Sequence, residues 1–176
     1  MKNENTKSMT THVKRPLVLA TCLVLAALSL PAAQLQAQGR GSPPTPIDFT
    51  QTLSGFCNFD IFAQVTGKAG VISLPDGGFI FTAPATRVTM TNLSDPTKSV
   101  TLSLTGSAEI GPVQNGTITE IFRGRNIVAF GPFAPSPNQL LFLIGNWTVV
   151  IDANTGHVLQ GPTGNGQMTD VCGLLD

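Results

Sequence analysis

The chain has 176 residues with ten Lys plus Arg and ten Asp plus Glu, so it carries no formal net charge. With 41% apolar residues, ten Phe and one Trp, it can fill an ordinary core, which excludes disorder as its general state. Past residue 15 the basic residues form no run, which excludes nucleic-acid binding that rests on neutralising several phosphates.

Residues 1–16 are polar and hold Lys2, Lys7, Lys14 and Arg15. The apolar run Leu17 to Leu30 follows, then Pro31-Ala32-Ala33-Gln34-Leu35-Gln36-Ala37. A basic start, an apolar centre and a small-residue exit predict a secretory signal peptide over residues 1–37. The run is short of the roughly 20 residues needed to cross a bilayer, so no membrane span is expected after cleavage. Residues 38–46, rich in Gly and Pro, read as a flexible linker. Residues 47–176 then form a single domain, in keeping with ordinary domain size. From residue 38 onward, six basic residues against nine acidic ones leave a charge of −3. The chain is expected to be secreted by a bacterium.

Cys57, Phe59, Ile61, Ala63 and Val65 alternate with polar residues and Phe62, the period-two pattern of a strand. Ala69–Leu74 and Phe79–Ala83 flank Pro75-Asp76-Gly77-Gly78, which has hairpin-turn chemistry. A second hairpin pairs Thr86–Thr91 with Ser99–Thr105, and the latter sets Val100, Leu102 and Leu104 on one face. Further strands are predicted at Ser107–Val113, Thr117–Arg123 and Ile127–Phe130, with a turn at Gln114-Asn115-Gly116. Gly131–Asn138, with three prolines, reads as a rigid loop. Gln139–Ile144 and Trp147–Ile151 are apolar strands broken at Gly145-Asn146. Asp152 to Gly156 forms a turn, and strands at His157–Gln160 and Gln167–Cys172 close the domain around a loop at Gly161–Gly166.

No ten-residue window past the leader carries a helical stripe. Many short strands at close spacing predict an all-β antiparallel fold, either a β-barrel or a β-sandwich. The barrel is favoured because pairing the first strand with the last removes both edges. Cys22 lies in the leader, so Cys57 and Cys172, which bracket the domain, are predicted to form a disulfide across that seam. Without a C-x-x-C, and with His157 as the single histidine past the leader, no metal and no cofactor are expected.

Catalytic signals are sparse. No G-x-S-x-G is present, and His157 follows a turn glycine, the setting of a solvated surface residue. Asp152, Asn154 and Gly156 resemble the start of a calcium loop, but the glycine comes early and no closing glutamate follows. Arg123 and Arg125 read as a charged strand edge. Two carboxylates share a strand face with aromatics: Asp60 alternates with Phe56 and Phe62, and Glu120 with Ile118 and Phe122. If either face points inward, that residue is a weak catalytic candidate or part of a ligand-cavity lining.

The stretches Val88–Gly106 and Gly164–Leu175, with Phe56-Cys57-Asn58-Phe59-Asp60, resemble small secreted β-rich proteins of bacteria, actinobacterial in type. That resemblance implies an exported β fold with a terminal cysteine pair and carries over no catalytic residue. The functional expectation is a non-catalytic domain that binds an extracellular partner or a small apolar ligand. Two alternatives stay open: an enzyme using a buried carboxylate (an isomerase, cyclase or glycan-cleaving barrel), or a structural surface protein without a pocket.

Overall fold

A computed structural model describes residues 23–24, 43–131, 134 and 138–176. The expected signal peptide, apart from Leu23 and Val24, and most of the linker lie outside the described residues, as does much of the Gly131–Asn138 loop.

The strands are β1 (Leu23–Val24), β2 (Thr45–Leu53), β3 (Ile61–Ser73), β4 (Phe79–Thr82), β5 (Arg87–Asn92) and β6 (Ser99–Ser103). They continue with β7 (Ser107–Ile110), β8 (Thr117–Phe130), β9 (Gln139–Asp152) and β10 (Val158–Asp170), and a single turn of helix, α1 (Val171–Leu174), ends the chain. All ladders are antiparallel and join into one sheet. β4 and β5 behave as one kinked strand along β3, pairing with Gly70–Ser73 and Ile61–Thr66 in turn. β6 and β7 do the same along β5 and β4. The path is thus an up-and-down meander of seven long strands.

The sheet forks at Gly124. Above it, one edge of β8 pairs with β7 from Ser107↔Arg123 to Ile110↔Glu120. Below it, the same edge meets β1 at Val128 and Ala129, while β6 stays with β5. The freed lower half of β8–β9 packs over the sheet β2-β3-β5-β6. Ile61, Ala63, Val65, Val88 and Met90 meet Ile127, Ala129, Leu140 and Phe142 in a first core. The alternate residues of the same strands, Val128, Phe130, Leu141 and Leu143, belong to a second core with Phe122, Trp147, Val149 and Ile151. All eight residues 127–130 and 140–143 are therefore buried, which is why these runs lack polar alternation.

A transverse glycine row makes the fork possible. Gly124 pairs with Gly145, and Gly145 with Gly166. Gly145 sits at φ 123°, and a β-carbon there would land on the Asn165 carbonyl oxygen; at Gly166 (φ 144°) it would land on that of Ile144. Only glycine tolerates both the dihedral and the approach, and a strand can bend there without losing its ladder. This corrects three readings. Thr117–Arg123 and Ile127–Phe130 are one strand, Gly145-Asn146 is a bend within β9, and Gly161–Gly166 lies inside β10. Pro162 is accommodated where the β10 register shifts, on an outer strand that needs no donor there.

The barrel expectation is also corrected: the chain is all-β, but the sheet is not closed, and no ladder joins β2 to β10. Forking, rather than closure, buries the apolar faces, so that the lower halves stack face to face as the layers of a sandwich do. The predicted disulfide is present, with Cys57 and Cys172 Cα atoms 5.5 Å apart. It joins the β2–β3 loop to α1 rather than two strands, because extended pairing begins only at Ile61. α1 and its flanks plug the open end of the first core with Val171 and Leu175. Asp170 caps the turn by accepting from the Cys172 amide at 3.0 Å. Buried Asn92 donates to the Leu175 carbonyl at 3.0 Å, and Lys98 Nζ to that of Asp176 at 2.7 Å. The C-terminal residues are thereby held on the β5–β6 turn.

Candidate functional site: the apolar face around Glu120

Register places side chains on faces, because residues directly opposite in a ladder point the same way, with β-carbons about 5 Å apart. Ser73↔Phe79, Phe79↔Ile110, Ile110↔Glu120 and Glu120↔Val149 make one row across β3, β4, β7, β8 and β9. The adjacent row runs Val71, Phe81, Ala108, Phe122 and Trp147. Both rows lie on the face that builds the second core. Glu120 is the one titratable side chain in these two rows.

Exposure falls along the first row. Phe79 is 40% exposed, Ile110 is half-buried, and Glu120 is 7% exposed. In the second row Phe81 is half-buried, while Phe122 is fully enclosed. The Trp147 indole N–H donates to the Ile144 carbonyl at 3.3 Å, which satisfies its polar end and leaves the ring as apolar lining. Arg123 Nη1 pairs with Glu109 Oε2 at 2.6 Å on the opposite face of these strands, where both side chains are partly solvated.

The two candidate carboxylates meet opposite fates. Glu120 faces the apolar interior, as its alternation with Phe122 allows. Asp60 is exposed in the loop before β3, and Phe62 beside it is 38% exposed on the outer sheet face. Glu120 shares its row with Ser73, the last residue of β3, whereas Asp60 precedes the first. The fold does not bring them together as a two-carboxylate glycan-cleaving pair, which needs separations of about 5–10 Å.

The other residues singled out from the sequence have structural settings. Asp152 Oδ1 accepts from the Asn154 and Thr155 amides at 2.9 and 2.8 Å and from the Thr155 hydroxyl at 2.9 Å. These bonds, the Thr155 amide foremost, hold the Asp152 carboxyl below the usual carboxylate range. It is a turn-forming residue whose oxygen is committed to backbone. Asp95 does the same in the β5–β6 turn, where the Thr97 hydroxyl at 2.6 Å is the main cause of its lowered pKa. His157 is exposed in the turn just before β10, and Arg125 is exposed on β8. Among the described residues, no three of His, Cys, Asp or Glu gather as a metal site needs, and no helix is long and apolar enough to cross a membrane.

Phe79, Phe81, Ile110 and Trp147 were not singled out by sequence reasoning. Their placement beside Glu120 depends on the registers of three hairpins at once, of which only the turn positions were legible. Compared with known protein families, curated proteins and solved structures, the chain matches none.

Proposed function

We propose that this chain is a secreted, non-catalytic β domain that binds a small apolar ligand on the face of β4, β7, β8 and β9. One observation carries the reading: an apolar row that is 40% exposed at Phe79 leads inward to a buried carboxyl group at Glu120. Apolar linings with a few placed polar groups are the usual composition of small-molecule sites. The disulfide supports an oxidising, extracytoplasmic destination. N-phenyl-1-naphthylamine tests the proposal, because Trp147, the sole tryptophan, lines this face and can transfer energy to the bound dye. Saturable dye emission excited through Trp147 is expected, weakened by Phe79→Asp. No saturable signal up to the solubility limit of the dye would refute it.

The burial of Glu120 favours one second reading, a proton-transfer enzyme of the isomerase or cyclase kind, in which that carboxyl acts as the acid or base. Turnover of any substrate by the purified chain, abolished in Glu120→Gln, would establish it in place of the binding reading.

A further inference from the structure

We propose that the lower edge of β8 is a strand-acceptor site whose occupant is the apolar leader run of the same chain, seated through Leu23 and Val24. The upper half of β8 fixes which of its backbone groups face this edge. The Gly111 amide donates to the Thr119 carbonyl at 2.9 Å, and Thr117 and Gln114 exchange two bonds of 2.9 Å. Thr117 and Thr119 therefore turn their backbone groups toward the β7 side of β8, and the carbonyl oxygens of Arg123 and Arg125 face Gly106 on that same side. The register with β9 runs from Thr117 to Phe130 without a shift, so the amides of Ile127 and Ala129 point the same way. At their level β7 no longer pairs with β8, and β6 is committed to β5. Ile127 and Ala129 are 3% and 0% exposed, and a backbone amide so enclosed needs a partner. β1 supplies one, with Leu23 opposite Ala129 and Val24 opposite Val128. By the same parity Leu23 and Ala129 exchange both ladder bonds, while the Val24 amide points away from β8. Residues 127–130 alternate between the first and second cores, so a strand beside them lies between two apolar layers and must be apolar at consecutive positions. Leu17 to Leu30, interrupted only by Thr21 and Ser29, has that composition, and the Gly- and Pro-rich residues 38–46 do not. The folded domain thereby holds its own leader by strand addition, the way a sheet edge takes up an extended peptide.

Amide hydrogen exchange, followed residue by residue by NMR on the full chain, tests the assignment. In the unaltered chain the Ile127 and Ala129 amides should be as well protected as those of Val128 and Phe130, which face β9. Leu23→Pro removes the amide that pairs with Ala129 and should speed exchange at Ile127 and Ala129 about tenfold, with Val128 and Phe130 changing less than about twofold. Val24→Pro removes an amide that faces away from β8, where an edge strand tolerates proline, and should leave all four within about twofold. Unprotected Ile127 and Ala129 amides in the unaltered chain, no response to Leu23→Pro, or an equal rise at all four amides would overturn the proposal. So would protection regained when unlabelled unaltered chain is added to labelled Leu23→Pro chain, which would put the leader of a second copy on the edge.

Discussion

Replacing Cys57 and Cys172 together by alanine severs the one covalent tie between the β2–β3 loop and α1, two segments 115 residues apart in sequence. In the chain-entropy treatment, closing a loop of that length restricts the unfolded ensemble by about 16 cal/mol/K, or about 5 kcal/mol at 25 °C. For an unfolding unit of about 130 residues the melting entropy is about 0.27 kcal/mol/K, so Tm should fall by roughly 15–20 °C. The native state loses something as well. Cys57 packs against the first core, and without the bond Val171 and Leu175 are held there by their own burial and the Asn92 hydrogen bond. Urea and thermal unfolding of the oxidised, reduced and double-alanine proteins measure the effect. The reduced and double-alanine forms should agree, and their m-values should rise because a freed chain exposes more surface on unfolding. A Tm within about 3 °C of the oxidised protein, with an unchanged m-value, would show that neither the loop closure nor the plug works as described.

Gly145→Ala, which drives a methyl group onto the Asn165 carbonyl in a dihedral region reserved for glycine, should destabilise by about 2–4 kcal/mol in urea unfolding. Gly161→Ala, with nothing within 4 Å of its new β-carbon, should stay within about 0.5 kcal/mol. Asn92→Ala removes the donor to the buried Leu175 carbonyl and should lower stability by about 1–3 kcal/mol, with hydrogen exchange rising first in α1. Asp95 and Asp152 have lowered folded-state pKa values, so their contribution is complete above the ordinary Asp value near 3.9 and is lost as pH falls through the lower folded values. Carboxyl NMR titrations should accordingly place both midpoints below about 3.9, and midpoints at or above that value would contradict the turn geometry.

Strand content and most turns were legible because alternation is local. Val88 and Met90 against Val100 and Leu102 read directly as a hairpin with one buried face, and they pair in that register. The disulfide followed from cysteine arithmetic. The fork did not, because it depends on which neighbours β8 keeps above and below Gly124, a relation between distant segments. Gly145 was read as a break since glycine weakens any strand pattern, and only the row with Gly124 and Gly166 turns it into a bend. α1, at four residues, is too short to carry a helical period. Asp60 and Glu120 show the limit most clearly. Both alternate with aromatics, yet one is solvated and the other enclosed, because alternation defines two faces without saying which is inside.

The most direct test of the ligand face is an amide chemical-shift map of the full chain titrated with N-phenyl-1-naphthylamine. Saturable shifts should gather on β4, β7, β8 and β9 around Phe79, Ile110, Glu120 and Trp147, and spare the outer Ser/Thr face of β5 and β6. Shifts centred on that outer face, or none at saturating dye, would contradict the account.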